Sequence, residues 1–178
     1  MDLRPFIAKV PDFPIPGILF RDITPLLADA DAMGEVVDRM STVCRESRVE
    51  LVAGIESRGF LFGVPVALEL GIPFVPLRKP GKLPRRTLER SYALEYGEAT
   101  LQVHADDIPP GARVAIVDDL LATGGTAKAA AELVEEAGGE VVQMLFLIEL
   151  LGLGGRDLIP GRPAHALLPL AVDGAGED

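Results

Sequence analysis

The residue types best suited to chemistry gather in one stretch, Val114 to Thr126, which reads VAIVDDLLATGGT. Two adjacent carboxylates, Asp118 and Asp119, follow four apolar, mostly β-branched residues (Val114, Ala115, Ile116, Val117). Such a run is expected of a short strand buried on both faces, with the acids placed where it surfaces. A turn rich in glycine and hydroxyls comes next (Thr123, Gly124, Gly125, Thr126), and strong helix formers continue from Ala127 to Ala137. Free N–H groups in the turn and the positive end of the helix suit a phosphate dianion. Glycine lets the backbone approach it closely. The carboxylates would repel a phosphate; they suit hydroxyl groups, as the acidic residue of dinucleotide folds suits a ribose. One ligand satisfies both halves, a ribose 5-phosphate. For Gly124-Gly125 alone a bare strand–helix connection is the simpler alternative. The chain has neither GxxxxGK[ST] nor GxGxxG, so neither a Walker loop nor a dinucleotide turn is indicated. The acidic pair with both threonines argues for a site.

The elements that must position this stretch read as alternating strands and helices. Met33, Val36, Val37, Met40 and Cys44 fall at helical spacing between Asp29 and Arg45, which predicts a core-covering helix. Leu51 to Ile55 reads as a second buried strand, followed by Glu56-Ser57-Arg58-Gly59 and a helix from Phe60 to Leu70 that Pro65 bends or delays and Gly71 stops. Further strands are expected at Phe74–Leu77, Glu140–Glu149 and, as an edge, Ala164–Leu170, with Ala99–Val103 as one arm of a hairpin. This alternation implies an α/β fold, a mainly parallel sheet flanked by helices. Ligands then sit beyond the carboxyl ends of the strands, where both turns lie. Met1–Val10 reads as a short helix, and Pro11, Pro14, Pro16 and Gly17 force an extended arm that ends in Ile18-Leu19-Phe20-Arg21-Asp22. Packing of that arm on the sheet is the plain alternative to a binding role. From Arg78 to Arg90, six basic residues share a segment with two prolines and a glycine, which predicts a long, mobile, cationic loop. A solvated charge run is its bland reading.

The totals set limits. At 178 residues the chain makes a single domain with enough length for a good core. A net charge of −10 argues against a general nucleic-acid binder, so an anionic substrate must meet locally concentrated cations. No apolar run reaches the ~18 residues of a membrane helix, and the N-terminus lacks the apolar core of a signal peptide, so a cytoplasmic protein is expected. The single cysteine, Cys44, excludes an internal disulfide and reads as a small buried residue. His104 and His165 have no partner cluster and receive no role.

Val114–Thr126 resembles the phosphoribosyl-pyrophosphate motif of the type I phosphoribosyltransferases, in the form carried by their adenine-using members. Three other stretches resemble the same branch: PGILFRD (Pro16–Asp22), ESRGF (Glu56–Phe60) and RKPGKLP followed by SYALEYG (Arg78–Pro84, Ser91–Gly97). The resemblance spans roughly residues 10 to 155. It implies a twisted, mainly parallel sheet with a small hood from the N-terminal arm (about 1–28), a core (about 29–178) and a flexible loop (about 79–96). The implied reaction is adenine plus phosphoribosyl pyrophosphate giving AMP plus pyrophosphate, with Mg²⁺ carried by the pyrophosphate substrate, not held directly, and water-bridged to Asp118 and Asp119. By the same resemblance Ala122 to Thr126 bind the 5′-phosphate, and Arg58, Lys79 and Lys82 stabilise the leaving pyrophosphate. Ser57 and Tyr96 add to the phosphoribosyl pyrophosphate site, and Leu19, Phe20, Arg21 and Leu120 form the base pocket. Glu95 manages a purine-ring proton, or else is a structural residue of the hood. A cis peptide between Glu56 and Ser57 and a homodimer are also implied. A transferase for another purine, or a non-catalytic sensor of phosphoribosyl pyrophosphate, remains as an alternative; the latter usually adds a DNA-binding domain, for which no residues are spare.

Overall fold

Five parallel strands form the centre of the protein, and the computed structural model describes them within residues 1–93 and 97–173. Their order is β4 (Phe74–Leu77), β3 (Leu51–Ile55), β7 (Arg113–Leu121), β8 (Glu140–Leu151) and β9 (Ala164–Ala171). β7 is central because both of its faces are apolar. Val114 and Ile116 enter one core and Ala115 and Val117 the other, all fully buried. Parallel strands need helical crossovers, and these cover the two faces. On one side lie α2 (Ala30–Glu46) and α3 (Gly59–Leu70), and on the other α4 (Gly125–Glu136).

Local sequence explains the helices. The Asp29 side chain accepts the Ala32 N–H at 2.9 Å and starts α2. Ala32, Val36, Met40 and Cys44 then follow at four-residue steps and are all buried. Burial pushes the Cys44 thiol up to about 12, so this cysteine packs as a small apolar group. The α3 helix runs through Pro65 and stops at Gly71, whose φ of 65° only glycine adopts readily.

Two antiparallel pairs flank the sheet. The N-terminal arm gives β1 (Ala8–Pro11) with β2 (Leu19–Asp22), and β5 (Thr87–Ala93) pairs with β6 (Glu98–His104). A short helix, α1 (Thr24–Leu27), joins the arm to α2.

Three expectations change here. Met1–Val10 is not a helix: only Arg4–Phe6 forms a 3₁₀ turn before β1 begins. Leu3 and Ile7 are buried against the α2 core, while pairing with β2 claims the backbone from Ala8. The cationic segment is irregular only to Arg86, because Thr87 onward pairs residue for residue with β6. Finally, β7 does not end before the acids. Asp118, Leu120 and Leu121 still pair with the long β8, so the carboxylates lie within the strand.

Candidate active site

The turns after β3 and β7 lie side by side because those strands are neighbours in the sheet. The turn after β7 leads into α4 through Gly124, which stands at the helix start with φ 87° and offers no side-chain cap. The first N–H groups of any helix lack intrahelical acceptors, so Gly125, Thr126 and Ala127 present donors at the positive end of α4. Glycine is required at 124 on two counts. Besides the positive φ, a Cβ would stand 2.3 Å from the Gly155 carbonyl oxygen. Residues 120–127 with Arg58, Asp118 and Asp119 line a cleft of about 200 Å³.

The acidic pair forms the floor of this cleft. Asp119 is 4% exposed, and its N–H donates to Asp118 Oδ1 at 2.9 Å. Burial and the neighbouring Asp119 charge push the Asp118 carboxyl well above the usual carboxylate range. Burial raises Asp119 as well, and the Arg58 guanidinium, 3.0 Å from Asp119 Oδ2, partly opposes that shift. A site built this way favours a bound hydroxyl, a proton or a positive centre over a second anion. The turn after β3 can reach the pair because Gly59 lies against β7. A Cβ there would meet the Val117 carbonyl oxygen at 2.4 Å and Asp118 Oδ1 at 3.2 Å.

That second turn has a cis peptide between Glu56 and Ser57. The Glu56 carboxylate accepts the Lys79 N–H at 2.8 Å and faces Arg78 Nε and Nη2 at 3.3 Å each. Burial alone would raise Glu56; the Lys79 amide and Arg78 outweigh it and hold the carboxyl low. The start of the cationic segment is thereby tied to the turn after β3. The six cations then divide. Arg78 pairs with Glu56, Arg85 with Asp107, Arg86 with Asp106, and Arg90 with Glu132 and Glu136. Among the described residues Lys79 and Lys82 alone of the six form no ion pair.

An apolar slot opens beside the acidic pair. Leu19, Phe20 and Arg21 of β2 line it with Leu120, Ile148 and Leu150, and it shares Arg58 and Asp119 with the cleft at the start of α4. Phe20 is braced edge-on by Phe13 at 5.1 Å between ring centres, and the Arg58 guanidinium lies 6.0 Å from the Phe20 ring centre. Arg21 is 5% exposed and donates from Nη2 to the Ala171 carbonyl oxygen at 2.6 Å. It fastens the arm to the end of β9 while lining the slot.

Comparison with known proteins agrees with this geometry. A family model described as a phosphoribosyl transferase domain matches residues 27–156. A curated relative from Synechococcus sp. (strain CC9605), named adenine phosphoribosyltransferase, is 53% identical over 169 residues, covering 94% of this chain and 98% of its own. The chain belongs to the adenine phosphoribosyltransferase family. The crystal structure of the family member from Thermoanaerobacter pseudethanolicus superposes with a TM-score of 0.91 at 48% identity, covering 94% of this chain and 98% of that one. The Saccharomyces cerevisiae enzyme, crystallised with an imino-altritol bisphosphate and adenine, gives 0.89 at 39% identity, covering 93% and 96%.

Within this frame the structure brings Arg58, Asp118, Asp119, Leu120 and Ala122–Thr126 to one cleft, and Leu19, Phe20 and Arg21 to its apolar neighbour. Ser57 lies in the adjacent turn, and Lys79 and Lys82 lie on the segment tied to it. Glu95 and Tyr96 fall outside the described residues. Sequence reasoning missed Ile148 and Leu150, which look like ordinary core residues in a long apolar run. It also missed Glu149 between them, 9% exposed and gripped by Arg156 at 2.6 and 2.7 Å. A lone acid inside an apolar strand was the available signal.

Proposed function

We infer that the protein transfers the 5-phosphoribosyl group of phosphoribosyl pyrophosphate to adenine, giving AMP and pyrophosphate. One observation carries this reading: the apolar slot and the phosphate cleft are contiguous, sharing Arg58 and Asp119. A flat base and a ribose phosphate held there meet at the carbon that joins them in the product.

The division of labour follows from the residues. Backbone N–H groups and hydroxyls of Ala122–Thr126 hold the 5′-phosphate. Asp118 and Asp119 accept hydrogen bonds from the ribose hydroxyls, and Asp119, whose charged form the Arg58 guanidinium favours, stabilises the positive ribosyl centre as its bond to pyrophosphate lengthens. Arg58, Lys79 and Lys82 receive the departing pyrophosphate charge, with Ser57 and Tyr96 adding contacts to it. Leu19, Phe20, Arg21 and Leu120 orient the purine so that N9 attacks C1′, and Glu95 takes the purine proton that must leave. The cationic segment closes over the site and keeps water from the reacting carbon.

Mg²⁺ belongs to the substrate in this account, arriving on the pyrophosphate group, whose charge it neutralises. Asp118 and Asp119 would meet such an ion through its bound water, and a hydrated cation beside them would favour their ionised forms. We further propose a cytoplasmic homodimer. The free, buried Cys44 fits a reducing compartment, and Leu61, Val64 and Leu68 leave an exposed apolar face on α3 for a second copy. No helix among the described residues is long and apolar enough to cross a membrane.

Calorimetric binding tests the joined site. AMP should bind at least 10-fold more tightly than adenine or ribose 5-phosphate alone, because one ligand then fills both halves. AMP binding no better than ribose 5-phosphate would separate the apolar slot from the phosphate cleft and overturn the assignment of the base pocket.

A further inference from the structure

Behind the phosphate-binding turn lies a second backbone segment, the 3₁₀ turn Gly155–Leu158. Gly155 is buried, and its backbone is wedged against both flanks of Thr123. A Cβ on Gly155 would stand 2.3 Å from the Ala122 carbonyl oxygen, and a Cβ on Gly124 would stand 2.3 Å from the Gly155 carbonyl oxygen. At such separations neither segment can shift without moving the other.

The next residue anchors this wedge. Arg156 donates from Nε and Nη2 to the two oxygens of Glu149 at 2.7 and 2.6 Å, and from Nη1 to the Ala164 carbonyl oxygen at 2.7 Å. Glu149 pairs in register with Leu121, the last residue of β7 before the phosphate-binding turn. The Glu149 side chain is 12% exposed and that of Arg156 49%. A bidentate pair with one member buried fixes direction as well as distance.

We propose that Arg156, held by Glu149, is a positioning residue for the 5′-phosphate: it clamps Gly155 behind Ala122–Gly124 and so keeps the turn's N–H groups aimed at the ligand. This rests on the phosphate-binding assignment made above. Arg156 lines neither the cleft nor the apolar slot, so it acts only through the turn.

The test compares Arg156→Ala, Arg156→Lys and Glu149→Gln with the unaltered protein. Ribose 5-phosphate binding is measured by calorimetry, KM for both substrates by steady-state kinetics, and folding by thermal unfolding. A turn displaced by a fraction of an ångström should weaken ribose 5-phosphate binding and raise KM for phosphoribosyl pyrophosphate by about 10-fold to 100-fold in Arg156→Ala. KM for adenine should stay within about twofold, since the apolar slot is not touched. Arg156→Lys keeps the charge but not the fork, and Glu149→Gln keeps the shape but not the charge, so both should fall between. These two also decide the matter if Arg156→Ala does not fold. Equal rises in both KM values, or a lower melting temperature with unchanged ribose 5-phosphate binding, would make the pair merely structural and overturn the clamp. Unaltered protein that binds no ribose 5-phosphate would overturn the phosphate assignment and the clamp with it. Normal binding by the unaltered protein and equally tight binding by all three variants would overturn the clamp alone.

Discussion

Replacing Gly124 by alanine puts the turn between β7 and α4 under two separate loads. Its φ of 87° lies in the left-handed region, where a Cβ costs about 1–2 kcal/mol. The added methyl would also stand 2.3 Å from the Gly155 carbonyl oxygen, whereas ordinary van der Waals contacts of Cβ atoms begin at 3.4 Å. The turn and Gly155 must therefore separate by about 1 Å, since both atoms sit on backbone and neither can rotate away. A displacement of that size at a positioning element costs about 100-fold in rate. The strain alone should lower the melting temperature by roughly 2–8 °C for a domain of this size. Gly124→Ala should consequently remain folded, lose ribose 5-phosphate affinity in calorimetry, and lose about 100-fold in kcat/KM for phosphoribosyl pyrophosphate. A variant with the lowered melting temperature but unaltered ribose 5-phosphate affinity would refute the reasoning, because the turn would then be strained without holding the phosphate.

Other outcomes follow from the acids and the lysines. Asp119→Asn should reduce kcat/KM by about 100-fold or more, the scale of losing one preorganised charge, without lowering the melting temperature; turnover close to that of the unaltered protein would remove the role given to the acidic pair. Asp118→Asn should raise the melting temperature near neutral pH. The folded state raises the Asp118 pKa above its ordinary 3.8, so the folded protein keeps a proton that the unfolded chain releases, and stability falls as pH rises from the ordinary value through the raised one. The asparagine variant avoids that loss, and its advantage should vanish on melting below the ordinary carboxylate range; an advantage that persists there would assign it to packing. Lys82→Ala should cut kcat by about 100-fold with little change in melting, since Lys82 has no ion pair among the described residues; lost stability with an intact rate would make the segment scaffold.

Much of this architecture was legible because its signals are local. Leu51–Ile55 is a strand as its buried apolar run predicts, Phe74–Leu77 is the further short strand expected, and Gly71 ends α3 as a left-handed cap. Reading failed where pairing overrides local chemistry. Asp118 and Asp119 look like residues leaving a strand, yet the pairing of Asp118, Leu120 and Leu121 with β8 keeps both inside it. Thr87–Ala93 looks like part of a charged loop, yet β6 supplies a full ladder. At the site, residues whose type states their chemistry were visible: the acidic pair, the glycines of the turn and Arg58. Those that act through shape were not. Ile148 and Leu150 belong to the slot only because β8 runs past Leu120, and Gly155 backs the turn after β7 only because the chain returns to it after β8.

The central claim is that one cleft joins adenine to the ribosyl carbon of phosphoribosyl pyrophosphate. Pyrophosphate release by the purified protein, with Mg²⁺ and phosphoribosyl pyrophosphate, tests it most directly when adenine, hypoxanthine, guanine, uracil and orotate are offered in turn. Release with adenine alone, matched mole for mole by AMP, is the predicted result. Release with another base and not with adenine would contradict the base pocket, and no release with any base, while phosphoribosyl pyrophosphate still binds, would contradict the enzyme.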